Sequence, residues 1–255
     1  MTAEARRVCV LGENAGDAAT TLEAGGLTSV VASAEAASDV DADVLVALGE
    51  SALLSLSRAR TNVPVLPVDA GSGVRSVPRG RLGDVATRLR AGDWSVQAHP
   101  RLAVDNGQRR SFALLDAMLV TTEPAHISEY TLRTSDDRVA RFRADGVVAA
   151  TPAGTRGYAQ AAGAPVVPPG SDVLALVPVA PFTTTLDHWV VPADDVSITV
   201  ERDDAAVEVL ADDRTVGTAD VGDPVELTTD GQVPLVRVPE GQSPFARRGE
   251  ELEKL

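Results

Sequence analysis

The chain has 255 residues, of which 44% are hydrophobic and only 3% aromatic, so a folded core must be built from Val, Leu and Ala. With 37 acids against 23 basic residues the net charge is −14, which argues against nucleic acid or anionic lipid as partners, and no apolar run is long enough to span a bilayer. The acids are scattered, the pattern of a halophilic solvation surface, and the single Cys9 excludes an intrachain disulfide and suits a cytoplasmic protein.

Residues 7–12 (RVCVLG), 43–49 (DVLVALG) and 63–68 (VPVLPV) are short Val- and Leu-rich runs that read as buried parallel strands. Ala-rich segments at 15–24, 34–37 and 51–58 alternate with them. In 81–90, Leu82, Val85, Ala86 and Leu89 recur at i, i+3, i+4 and i+7, one face of a helix. This alternation predicts an α/β domain with an open parallel sheet over residues 1–97, binding ligands near the carboxyl ends of its strands. After Trp94 strands dominate: 111–120, 129–133, 138–143, 147–150, 173–177, 188–191, 196–201 and 206–210, separated by turn signals such as TSDD and VGDP. They predict an all-β domain over 98–231. The tail, 232–255, is expected to pack back on the first domain.

Residues 145–165, DGVVAATPAGTRGYAQAAGAP, invite a chemical reading. Pro152 fixes φ, and Gly154 and Gly157 allow backbone geometries closed to other residues, so a ligand can approach closely. Tyr158 offers a flat face and a hydroxyl. The same residues also suit a plain Pro/Gly turn. His99, His126 and His188 lack ligand spacing, so no protein-held metal site is expected from them. Cys9 reads as a core residue. Neither GxSxG nor GxxxxGK[ST] is present.

Asp145-Gly146, Thr151 to Tyr158 and Ala162 to Pro165 resemble the nucleotide-binding signature of NAD kinases, which runs DG, a strand, TPxGSTAY, then AGGP. Asp172 to Phe182 is similar to the family strand that ends in a Pro-x-x-Pro turn, and PVLPVDAGSG (64–73) to its strand and glycine turn. The resemblance implies an α/β domain followed by a β-rich one, an active site in the cleft between them, and a homodimer or homotetramer built through the β domain. It implies transfer of a phosphoryl group from ATP or polyphosphate to the adenosine ribose 2′-hydroxyl of NAD, with Mg²⁺ or another divalent metal. Carried over residue by residue, it makes Glu50 the catalytic carboxylate and assigns Asp116, Asp145, Gly154, Thr155, Arg156 and Tyr158 to NAD. Gly49, Ser51 and Gly73 would line the phosphate path.

The working parts depart from the family pattern. Its phosphate loop, GGDGTLL, reads Leu48-Gly49-Glu50-Ser51-Ala52-Leu53-Leu54 in this chain, so Leu48 and Ser51 are expected to crowd a phosphate. Its Asn-Glu pair falls on Leu115-Asp116, its Asp-Gly-Gln on Asp212-Asp213-Arg214, and Val74 stands where an aromatic is common. Arg156, in place of Thr, would restore positive charge. Two readings follow: an NAD kinase, or a catalytically silent NAD(P)-binding regulator of an active paralogue.

Overall fold

The computed structural model describes residues 4–37, 39–123, 126–182 and 187–246. The chain divides into two compact units, Met1–Ala98 with Val233–Leu255, and His99–Gln232.

The first unit is a parallel sheet with helices. In chain order it runs β1 (Arg7–Gly12), α1 (Ala15–Ala24), β2 (Thr28–Val31), α2 (Ala34–Ala37), β3 (Val44–Leu48), α3 (Glu50–Arg58), β4 (Val65–Val68) and α4 (Leu82–Ala91). The strands lie in the order β2-β1-β3-β4 and every pairing is parallel. Val65 of β4 also pairs, in parallel, with Leu235 near the end of the long strand Pro224–Arg237. β3, VLVAL, is buried along its whole length, which is why it reads as an unbroken apolar run. α1 buries Ala15, Ala18, Ala19 and Leu22, and α4 buries Leu82, Val85, Ala86 and Leu89, the face its periodicity predicts. These side chains share one core with Val44, Val46, Leu48, Val236 and Val238. The chain's end therefore belongs to this unit as far as it is described: the Gln242 N–H donates to Ser76 O at 3.0 Å, and Glu240 accepts from Arg88 at 2.7 Å. Residues 247–255 of the expected tail lie outside the described residues.

The second unit is a layered antiparallel β structure. Its strands are β5 (Ser95–Asp105, shared with the first unit), β6 (Arg110–Ala113), β7 (Asp116–Thr121), β8 (Ser128–Arg133), β9 (Arg138–Ala144), β10 (Gly146–Ala150), β11 (Val173–Val179), β12 (Trp189–Pro192), β13 (Val196–Arg202), β14 (Val207–Ala211) and β15 (Arg214–Ala219). One sheet has the order β12-β11-β10-β7-β14-β15. The other is formed around β13-β8-β9, with β13 paired to the start of the long strand β16 (Pro224–Arg237). Val147 and Ala149 of β10 join Leu119, Leu176, Tyr130 and Ile198 in the core between the sheets. Val148 and Ala150 face the other way, into a smaller cluster with Ala159, Ala164 and Val167. Covering both faces of β10 turns the segment after it, 151–167, into a layer pressed on the sheet.

The apolar run 111–120, expected as one strand, is two. β6 ends at Ala113 and β7 begins at Asp116, because the Asp212 carboxylate accepts the N–H groups of Leu114 at 2.9 Å and Leu115 at 2.7 Å. A side chain thereby takes the donors that a sheet ladder would otherwise use.

Candidate functional site

In the first unit the strand order reverses between β1 and β3, since the chain leaves β1 toward β2 on one side and returns to pair β3 on the other. Such a switch point leaves a crevice at the carboxyl ends of the strands. A cavity of about 660 Å³ lies there, lined among others by Gly12, Glu13, Gly49, Glu50, Asp69 and Arg79. Gly49 holds φ 85 and ψ 162, a left-handed-side conformation open to glycine, and caps α3 without a side-chain bond. The N–H groups of Ser51 and Ala52, in the first turn of α3, point out of the helix end by geometry and suit an anion.

Glu50 is the first residue of that helix. Its carboxylate approaches the glycine turn that follows β4: Oε2 lies 3.7 Å from where a Cβ on Gly71 would stand. Gly71 has φ 92 and Gly73 is buried. The turn is braced by the Ala70 N–H, which donates to Ser76 Oγ at 2.7 Å, and by the Asp69 N–H, which donates to Val77 O at 3.0 Å. Arg79 spans the cavity wall. Its N–H donates to Asp69 Oδ1 at 3.2 Å and its guanidinium to Glu13 O at 3.1 Å. Arg79 thus offsets the acids Glu13, Glu35, Glu50 and Asp69 that line the same space. The carboxyl of Glu35 is held below its usual range by its own backbone N–H and by the Ser33 hydroxyl, so it is charged at neutral pH. Arg79 was not legible as a site residue in the sequence, because the turn that brings it to Asp69 has no signature.

Leu48 and Ser51, expected to crowd a phosphate, both line this cavity, and Leu48 reaches it from the core. The Leu48 side chain is buried in the core with Val8, Val46 and Leu66, as the last residue of a strand covered on both faces. Ser51 is exposed on the first turn of α3.

In the second unit, residues 151–158 form a compact loop fastened to the break between β6 and β7. Thr151 Oγ1 donates to Leu114 O at 2.6 Å, and its N–H to Leu115 O at 2.8 Å. Gly154 lies so close to this break that a Cβ would stand 2.0 Å from Leu115 O. Thr155 is fully buried: its hydroxyl donates to Pro152 O at 2.9 Å and accepts from Val167 N at 3.1 Å. That places Thr155 as a positioning residue inside the loop. Tyr158 opens α5 (Tyr158–Ala161) and is 52% exposed, an aromatic face presented outward over a buried layer. Arg156 and Asp116 are half-buried, and Asp116 O accepts from the Asp212 N–H at 2.9 Å.

Asp212 is the residue that sequence reasoning undervalued. It occupies φ 54, and its carboxylate fixes Leu114, Leu115 and, at 3.3 Å, the Asp116 N–H. Asp145 stands at the turn into β10, where its O accepts from Thr121 N at 2.9 Å and its N–H donates to Val179 O at 3.0 Å. Nearby Tyr130 is enclosed, and burial pushes its phenol up from the ordinary value.

Residues 115–237 match the ATP-NAD kinase C-terminal domain family. An NAD kinase from Methanospirillum hungatei is 28% identical over 224 residues, covering 84% of this chain and 80% of the relative. One from Gemmatimonas aurantiaca is 29% identical over 225 residues, covering 82% and 76%. The fold is similar to an Archaeoglobus fulgidus NAD kinase solved with ATP, with a TM-score of 0.71, 22% identity and coverage of 90% and 92%. It is likewise similar to yeast NADH kinase solved with NADH, with a TM-score of 0.75, 16% identity and coverage of 93% and 85%. In its matched C-terminal domain, in relatives that align along most of its length and in its fold, the chain is similar to NAD kinases.

Proposed function

We propose that this chain phosphorylates the 2′-hydroxyl of the adenosine ribose of NAD, with ATP or polyphosphate as donor. One observation carries the assignment of the chemistry: a carboxylate, Glu50, on the first turn of a helix at the switch point, with its oxygen against a glycine turn. In the transfer, the ribose oxygen forms its bond to the terminal phosphorus as the bond from that phosphorus to the donor's bridging oxygen breaks. Glu50 takes the hydroxyl proton, and the shortened donor leaves with the electron pair of the broken bond as negative charge on its former bridging oxygen. The N–H groups at the start of α3, with Gly49 and Ser51, face the transferred phosphate, and Gly73 belongs to the turn beside them.

The second unit holds NAD. Tyr158 and Arg156 offer an aromatic face and a cation, Asp116 and Asp145 accept from its hydroxyl and amide groups, and Gly154 and Thr155 set the loop. A divalent ion neutralises the donor phosphates when bound. Glu50 and the donor phosphates would be the groups that hold it. Assembly through the β unit and a halophilic, cytoplasmic setting complete the reading. The silent-regulator alternative rests on departures from the family pattern at residues 48–54, 115–116, 212–214 and 70–74. The positive φ of Gly49 and the carboxylate of Glu50 at the cavity favour the kinase reading.

The test is Glu50→Gln, assayed for NADP formation with Mg²⁺ and several donors at molar KCl. Activity falls by about 10²–10⁴-fold, the usual worth of a positioned base, while NAD affinity by calorimetry stays near wild type. A fully active Glu50→Gln protein would move the catalytic acid elsewhere, with Asp69 and Asp116 next. A wild type that binds NADP but forms none would establish the silent regulator.

A further inference from the structure

The glycine turn opposite Glu50 holds a conformation that its own residues do not all favour. Between Asp69 and Arg75 three residues lie at positive φ: Asp69 at 49°, Gly71 at 92° and Arg75 at 54°. Glycine takes such a value freely and aspartate tolerates it, but an arginine stays there only where its surroundings fix it. Part of the restraint is local. The Arg75 N–H donates to Ser72 O at 3.2 Å, and Val68 and Val77 form a parallel bridge that closes the base of the turn. Ser76, only 1% exposed, accepts the Ala70 N–H on its hydroxyl at 2.7 Å.

The rest of the restraint comes from the far end of the chain. Gly241 lies so close to Arg75 that a Cβ would stand 2.6 Å from Arg75 O, a backbone atom. The Gln242 N–H donates to Ser76 O at 3.0 Å. This C-terminal turn is itself anchored. The Gly241 N–H donates to Val238 O at 3.1 Å, and Glu240, its side chain 4% exposed, accepts from Arg88 Nε of α4 at 2.7 Å. Ser76 therefore meets the C-terminal turn through its carbonyl and the glycine turn through its hydroxyl. All of these residues belong to the first unit.

We infer that Ser76 and Gly241 are positioning residues for the transfer: the turn at 240–242 sets the conformation of the glycine turn that faces Glu50, and with it the seat of the donor phosphates. The inference rests on the reading of that glycine turn as part of the phosphate path. A shift at Arg75–Ser76 reaches the Ala70 N–H through a single short arm, Cβ to Oγ, with no flexible side chain between to absorb it.

Two full-length variants test this. Gly241→Ala must move Arg75 O from 2.6 Å toward an ordinary contact near 3.4 Å, a displacement of about 0.8 Å. Ser76→Ala takes the acceptor from a buried N–H and adds no atom, so it cannot fail by crowding. In both, KM for ATP rises and kcat/KM for ATP falls, by up to about 10²-fold for Gly241→Ala, while NAD affinity by calorimetry stays near wild type. Hydrogen exchange at the Ala70 amide speeds up by about 5- to 150-fold in Ser76→Ala, the scale of one buried hydrogen-bond partner. The amides of α1 exchange as in wild type. A merely structural role would lower kcat with the folded fraction and leave KM for ATP unchanged, and that result overturns the inference. So does either variant with wild-type ATP kinetics, or Ser76→Ala with wild-type exchange at Ala70. If the wild type forms no NADP, the kinase reading fails on its own account and ATP affinity by calorimetry takes the place of KM. Variants that then bind ATP as wild type does, or a wild type that binds none, overturn this inference too.

Discussion

Gly154→Ala is a sharp test of how the nucleotide loop is held. The added methyl would stand 2.0 Å from Leu115 O and 2.5 Å from Leu115 C, both backbone atoms. Reaching an ordinary contact near 3.4 Å requires the two segments to part by about 1.4 Å. That is not a side-chain adjustment. Thr151 grips Leu114 O and Leu115 O, and Asp212 grips the N–H groups of the same residues, so the separation must break or stretch those bonds. Overpacking of this kind costs about 1–3 kcal/mol. For a chain of this size that is a melting temperature lower by roughly 2–12 °C. Because Leu115 precedes Asp116, a displacement above 1 Å also misplaces a residue assigned to NAD, with a loss of activity on the order of 10²-fold. Differential scanning calorimetry and an NADP-forming assay measure the two effects. Gly83→Ala is the control: a Cβ there meets nothing within 4 Å, and helix α4 should gain stability by about 0.5–1 kcal/mol. A Gly154→Ala protein that melts and turns over as wild type does would refute the close approach of these segments.

Asp212→Asn replaces one acceptor with an amide donor opposite the Leu114 and Leu115 N–H groups; it should destabilise the protein by about 1–3 kcal/mol and raise KM for NAD more than it lowers kcat. Unaltered denaturation and KM would remove Asp212 from the scaffold. Asp43 accepts the N–H groups of Arg7 and Arg6, which hold its carboxyl below the ordinary value of 3.8. Its stabilising effect is therefore present above that ordinary value and lost as pH falls through the lower folded value, so Asp43→Asn melts earlier than wild type at neutral pH and the gap closes as pH falls through that folded value. A gap that persists in acid would contradict the charge-based origin. Wild-type melting temperature rises from dilute buffer to molar KCl, as the Debye length contracts from about 10 Å at 0.1 M to about 3 Å at 1 M; a flat or falling series would refute the halophilic surface.

What could be read from sequence follows from how local each signal is. α4 was legible because four apolar positions recur on one helical face, α1 because an Ala-rich segment sits between two strands, and β3 because burial on both faces leaves no polar residue within it. β2 escaped notice because it is four residues long and mostly exposed. β16 did so because PVELTTDGQVPLVR mixes acids, Pro and Gly into a strand that long-range pairing alone sustains. The break at Leu114–Leu115 was illegible for a related reason: the carboxylate that causes it lies 97 residues away from Leu115. At the site, the loop 151–158 carries its own turn chemistry and so announces itself. The burial of Thr155, the core position of Leu48 and the placement of Arg79 depend on packing between distant segments.

The division of the first unit into Met1–Ala98 and Val233–Leu255 has a consequence for biosynthesis. Val236 and Val238 belong to that unit's core, and Leu235 pairs with Val65, yet these residues are made after the whole second unit has been translated. Segments β1 to α4 leave the ribosome early but wait for well over a hundred residues before their last strand arrives. At about 5–20 residues per second, that wait lasts roughly 7–30 s. The second unit, contiguous in sequence, can complete its own sheets in the meantime, so the order of maturation runs opposite to the order of synthesis. A nascent chain stalled before Val233 would expose the edge of β4 and an unfinished apolar core, a substrate for chaperones that the finished protein no longer presents.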